Sequence, residues 1–207
     1  QNASTLQDQL KLLAVTGPTI TPELFPEENS RIAYWYNARA AWAIMIAMEC
    51  NCPKKIIRKE LMRREFPLDG RLLSLEKIDR ILKEFPDWRI VVAAPGITLQ
   101  RAQLPARPFT GETIQEQIDQ RFNAFIDDPT RFVIDVPSRQ IRIPEILWPY
   151  RKPLIEKYER EYQTAGTNFT TALLPYVKGS ALRRLQDAIG YQCVPARGGR
   201  PTLALFE

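Results

Sequence analysis

The stretch from Ser30 to Cys50 constrains this chain more than any other. Asn29 or Ser30 can cap a helix there, and apolar side chains then surround nearly all of it, with Ile32, Trp35, Trp42, Met45 and Ile46 spread around its turns. A helix that is apolar on every side has no face to offer water, so it must be central and covered by the rest of the chain. Its longest uninterrupted apolar run, Ala40 to Met48, is about half of what a bilayer requires, so it does not read as a membrane span.

Two polar residues interrupt this helix. Asn37 and Arg39 lie inside a segment otherwise built for burial, and buried polar groups must find partners. The favoured reading is that Arg39 pairs with an acidic residue of a neighbouring element and orders the core. The functional alternative is that Trp35, Asn37 and Arg39 line a ligand pocket near the loop Pro95 to Pro108, whose length and prolines set it apart.

Elements on either side follow from local signals. A helix over Thr5 to Val15 and a connector with Pro18, Pro22 and Pro26 form an expected N-terminal helical arm, residues 1–29, wrapped on a domain of residues 30–207. Asp69-Gly70 supplies a turn, and Ser74 can cap a helix carrying Leu75, Ile78, Leu82 and Phe85 on one face. The β-branched run Arg89 to Ala94 reads as an interior strand. Thr113 with Glu116 forms a capping box for a helix striped by Ile114, Ile118, Phe122 and Phe125, ended by Asp127-Asp128-Pro129. A hairpin over 131–136 and 139–143 comes next, then helices at 154–162, 168–177 and 180–189, the last stopped by Gly190. A terminal hairpin is expected from 191–196 and 201–206 around Gly198-Gly199. The expected fold is α+β, a single globular domain with about six helices around a small, mostly antiparallel sheet.

Histidine is absent from all 207 residues, which excludes Ser-His-Asp and Cys-His catalysis. Three cysteines with no Cys-x-x-Cys pair make a poor metal set, and no glycine pattern that cradles phosphate is present. No cofactor or metal is expected. Among the cysteines, one of Cys50 and Cys52 can bridge to Cys193, or all three can be reduced; both readings stay open. Paired carboxylates remain chemically available for hydrolysis, but Asp127-Asp128 reads as helix-end turn chemistry and Glu27-Glu28 as charge favourably placed at a helix start.

The net charge of +5 is mixed along the chain. Its densest cluster, Lys54, Lys55, Arg58, Lys59, Arg63 and Arg64, reads first as a solvated helix face opposite Ile57 and Leu61. The alternative is a polyanion-binding patch centred on Lys54, Lys55, Arg58 and Lys59. The sequence begins at Gln1 with no basic, apolar-cored leader ahead of it; a trimmed boundary or a removed leader accounts for this, and both fit a secreted or periplasmic protein.

From Tyr34 to the end, the chain resembles the uncharacterised domain of unknown function 547 family. Tyr34-Trp35-Tyr36-Asn37-Ala38-Arg39-Ala40-Ala41 matches in part that family's aromatic-Trp-hydrophobic-Asn run. Leu72-Leu73-Ser74-Leu75 with Ile78 looks like its segment before a central strand. Phe109-Thr110 through Ile118-Asp119, Phe125 and Asp128-Pro129 is similar to its next helix and turn, and Ile146, Tyr150 and Arg151 to its later aromatic-Arg motif. On this resemblance Val91 stands at the family's histidine, neither family cysteine is retained, and Arg39 and Ala40 replace a Tyr and an Asn. The resemblance implies an inactivated or repurposed relative, and the first reading is a degenerate, non-catalytic binding or scaffold module; its partner is left open between a protein and a small ligand, with nucleic acid disfavoured. A histidine-free carboxylate hydrolase is the alternative, and weak polyanion binding comes third.

Overall fold

A computed structural model describes residues 2–51, 58–98, 101–104 and 107–196. The fold is mixed α+β. Where about six helices were expected, the described residues hold nine α-helices, several of them only one or two turns long. Two compact units divide the chain, one running to Ile118 and one beginning at Asp119.

In the first unit, helix α1 (Asn2–Val15) leads through the proline-rich connector to α2 (Glu28–Glu49). Helix α2 is the buried centre the sequence demands: Ile32, Tyr36, Ala38 and Ile46 are wholly inaccessible. Each large apolar side chain so buried contributes roughly 1.5–3 kcal/mol. Glu27, not Asn29 or Ser30, sits at the N-cap, and the Ser30 hydroxyl donates to the Glu27 carbonyl. Asn51, in the left-handed region at φ 57°, turns the chain off the far end.

Two short strands, β1 (Phe66–Leu68) and β2 (Arg71–Leu73), pair antiparallel across Asp69 and Gly70. Both turn residues have positive φ, 52° and 70°, which is the two-residue hairpin geometry that an Asp-Gly pair favours. The hairpin tip docks on α1, with Asp69 N and Gly70 N donating to the carbonyls of Leu13 and Ala14. The Trp42 ring stacks on Phe66 at 4.1 Å. Between α2 and this hairpin lies α3 (Arg58–Arg63), and after it comes α4 (Leu75–Leu82), whose Ser74 cap accepts from Lys77 N as expected.

Residues 89–94 overturn the sequence expectation. They form a helix, α5 (Arg89–Ala93), rather than an interior strand. Ile90 to Ala94 are all buried, and a short continuous apolar run does not distinguish a buried strand from a buried helix. Flanking residues decide it. The Asp87 carboxylate accepts from Arg89 N at 2.9 Å, starting the turn, and Pro95 disfavours helical backbone at Ala94.

Helix α6 (Ile114–Asp127) carries the chain from the first unit into the second. There β3 (Val133–Asp135) and β4 (Gln140–Ile143) form the expected antiparallel hairpin, with Arg139 at φ 50° in its turn. Helices α7 (Arg151–Tyr162), α8 (Phe169–Leu173) and α9 (Gly179–Asp187) follow, with a 3-10 turn at Leu174–Tyr176 directly after α8. Strand β5 (Gln192–Pro195) forms where the first strand of the terminal hairpin was expected, and pairs in parallel with β4. The second strand of that hairpin, and its Gly198-Gly199 turn, lie outside the described residues. Among the described residues no helix is long and apolar enough to cross a membrane.

Candidate functional site

The polar interruptions of α2 converge on the two ends of the long loop that begins at Pro95. Arg39, 2% exposed, donates from Nε to Asp79 Oδ1 at 2.9 Å and from Nη1 to the carbonyl of Pro95. Asn37 closes two hydrogen bonds with the backbone of Phe109: its Nδ2 donates to the carbonyl at 2.8 Å, and its Oδ1 accepts from the N–H at 2.9 Å. One helix therefore holds both stems of the loop. Trp35, on the same helix, is buried and packs edge-on against Tyr34 at 5.0 Å.

Asp79 is the hub of this cluster. Its Oδ2 accepts from Arg101 Nη2 at 2.5 Å, so one carboxylate faces two guanidiniums. Each guanidinium also donates to a backbone carbonyl, Arg39 to Pro95 and Arg101 to Val91 at 3.2 Å. Burial pushes the Asp79 pKa up, but the charges of Arg101 and Arg39 outweigh it and hold the carboxyl below its ordinary range. Gly96 lies against this pair: a Cβ there would stand 2.7 Å from Arg101 Cβ and 3.2 Å from Arg39 Nη1. Gly96 N also donates to the Ala102 carbonyl, drawing the loop back across the guanidiniums.

This is the favoured reading of Arg39, an ion pair with an acid on a neighbouring helix. Asp79 and Arg101 were not singled out in the sequence. Asp79 was within reach, because it falls on the apolar face of α4 with Leu75, Ile78 and Leu82, where an acid demands a partner. Arg101 carried no such signal.

Other singled-out residues have local roles. Asp127 accepts from the Ser180 hydroxyl at 2.6 Å; Asp128 pairs with Arg131 and accepts from Thr130 N at 2.8 Å. Glu28 sits in the first turn of α2. Of the basic cluster, Lys54 and Lys55 lie outside the described residues, Arg58 and Lys59 begin α3, and Lys59 is exposed. Arg63 and Arg64 pair with Glu76 and Glu49, which dilutes the local positive field. Cys50 and Cys193 carry free thiols, and Cys52 lies outside the described residues. Burial raises the Cys193 thiol, with Arg151 partly opposing, so it is a poor nucleophile near neutrality. No group of three His, Cys, Asp or Glu able to hold a metal occurs among the described residues.

A second feature lies in the second unit and was missed in the sequence. Tyr158, Tyr162 and Tyr176, with Leu154, Ala172 and Pro175, line a groove of about 170 Å³ between α7 and the turn after α8. The rings of Tyr158 and Tyr162 pack 4.4 Å apart, and Lys157 Nζ lies 5.6 Å over the Tyr176 ring. Their i, i+4 spacing, continuing from Leu154, was the available signal. No family model, curated protein or solved structure matches this chain.

Proposed function

We propose that the protein is a non-catalytic binding or scaffold module. The observation that carries this reading is the closure of the Arg39–Asp79–Arg101 cluster on itself. A general acid or base needs a pKa near the working pH and a lone pair or proton aimed at substrate. Asp79 is poorly suited to either role: two guanidiniums hold it ionised, and each of its oxygens already accepts from one of them. On the family resemblance, Val91 stands where a histidine is expected; it is a buried aliphatic residue of α5 whose carbonyl accepts from Arg101. On the resemblance, these features accord with a relative in which internal groups stand where the family's site has its polar ones, and in which the segment aligned with the family's central strand is the helix α5.

The test is a screen of the whole chain against ester, glycoside and phosphomonoester substrates. The expected rate equals that of buffer. Turnover that disappears on replacing a single carboxylate would overturn the reading in favour of a carboxylate hydrolase.

A further inference from the structure

We infer that the tyrosine groove of the second unit docks an extended, proline-containing peptide; this inference rests on the binding-module reading. Size is the first constraint. A cavity of about 170 Å³ is below the roughly 300–1,000 Å³ of small-molecule and cofactor sites, and suits one or two compact residues of a longer ligand lying across it.

Charge is the second. Lys157 already places its ammonium over the Tyr176 ring, which disfavours a free cation there, while Glu161 on the same lining disfavours an anion. The occupant is therefore neutral where it enters. Glu161 is exposed and suits a basic residue flanking the inserted segment.

Shape and polarity supply the third. Tyr158 and Tyr162, their rings tilted 33° to one another, form a ridge along α7, and Tyr176 beside Pro175 makes the facing wall. Tyr162 leaves 52% of its surface in water, so its ring is open to a ligand. Ridged aromatic walls with hydroxyl donors suit a polyproline II strand, which has no internal hydrogen bonds, presents its carbonyls outward and is already stiff, so that little entropy is lost on docking. An oligosaccharide fits less well. It would need several convergent polar side chains for its vicinal hydroxyls, and besides the tyrosine hydroxyls only Lys157 and Glu161 line the groove.

The experiment is an amide NMR titration of the full chain with a synthetic peptide of repeated Pro-Pro-Leu units and one terminal arginine. A matched peptide with alanine for proline and a linear glucose hexasaccharide serve as comparison probes. Shifts confined to α7 and residues 172–176, lost with the alanine peptide and weakened about tenfold or more by Tyr162→Ala, are the expected result. Tyr162 is exposed, so that variant should keep the wild-type spectrum elsewhere; Tyr162→Phe should retain most of the affinity. No shift with the proline peptide, shifts indifferent to Tyr162→Ala, or shifts produced instead by the hexasaccharide would overturn the inference. Silence of the groove leaves the non-catalytic reading standing, whereas substrate turnover removes that reading by a separate measurement.

Discussion

Arg39 Nε donates to Asp79 Oδ1 at 2.9 Å, joining the long helix α2 to α4 across 40 residues of sequence. With Arg101 on the other oxygen, this pair ties the stem of the long loop to the core. The stability of the first unit therefore depends on polar contacts at its centre as well as on apolar burial.

Asn37 tests the far end of the same loop. Replacing it with leucine keeps the side-chain volume but leaves the N–H and carbonyl of Phe109 without their partner. The expected loss is about 1–3 kcal/mol, the cost of orphaned buried backbone groups, read as a lower urea midpoint. An unchanged midpoint would instead release Asn37 for a ligand role.

Gly96→Ala probes packing alone, because the added methyl would overlap the Arg101 stem. Overpacking of this kind costs about 1–3 kcal/mol. Thermal melts should show the loss in the wild-type background and a smaller one with Arg101→Gly, which removes both the Cβ and the Cγ that the methyl would meet.

Acid should act through Asp79. Its carboxyl titrates below the ordinary range in the folded chain, so the unfolded chain binds protons first as pH falls. Its contribution is full above the unfolded pKa of about 4 and is lost as pH drops below that toward the folded value. The difference in unfolding free energy between wild type and Asp79→Asn should shrink over that range. A difference independent of pH from 5 to about 2 would contradict the assignment.

Tyr34 gives the opposite sign. Burial, reinforced by Asp69 and partly opposed by Arg71, raises its phenol, whose hydroxyl lies 3.1 and 2.9 Å from the carbonyls of Leu13 and Thr16. Stabilisation is full below the unfolded pKa of about 10 and is lost as pH rises above it. Tyr34→Phe should be less stable at pH 7, yet should lose less between pH 9 and 11, as followed by circular dichroism.

Much of this fold was legible because local chemistry and burial agreed. The continuous apolar surface of α2, the Ser74 cap, and the turns at Asp69-Gly70 and residues 136–139 each had one reading. The error at 89–94 arose where periodicity is silent and a flanking Asp87 and Pro95 decide. The parallel pairing of β5 with β4 rests on contacts distant in sequence, which no local pattern encodes. At the candidate site Arg39 was visible as an anomaly, and its partner Asp79 was recoverable from the apolar face of α4. Arg101 was not, because a loop arginine carries no periodic signal.

The central claim, that Arg39 and Asp79 are partners to each other and not to a ligand, is tested most directly by a double-mutant cycle. Equilibrium urea unfolding would be measured for wild type, Arg39→Met, Asp79→Leu and the double variant. Each single change should cost about 3–5 kcal/mol, by leaving a charge buried with its pairing broken, and the double should cost clearly less than the two combined. Small and additive losses would mean that the two groups do not stabilise one another, and would return both to the list of residues available to a ligand.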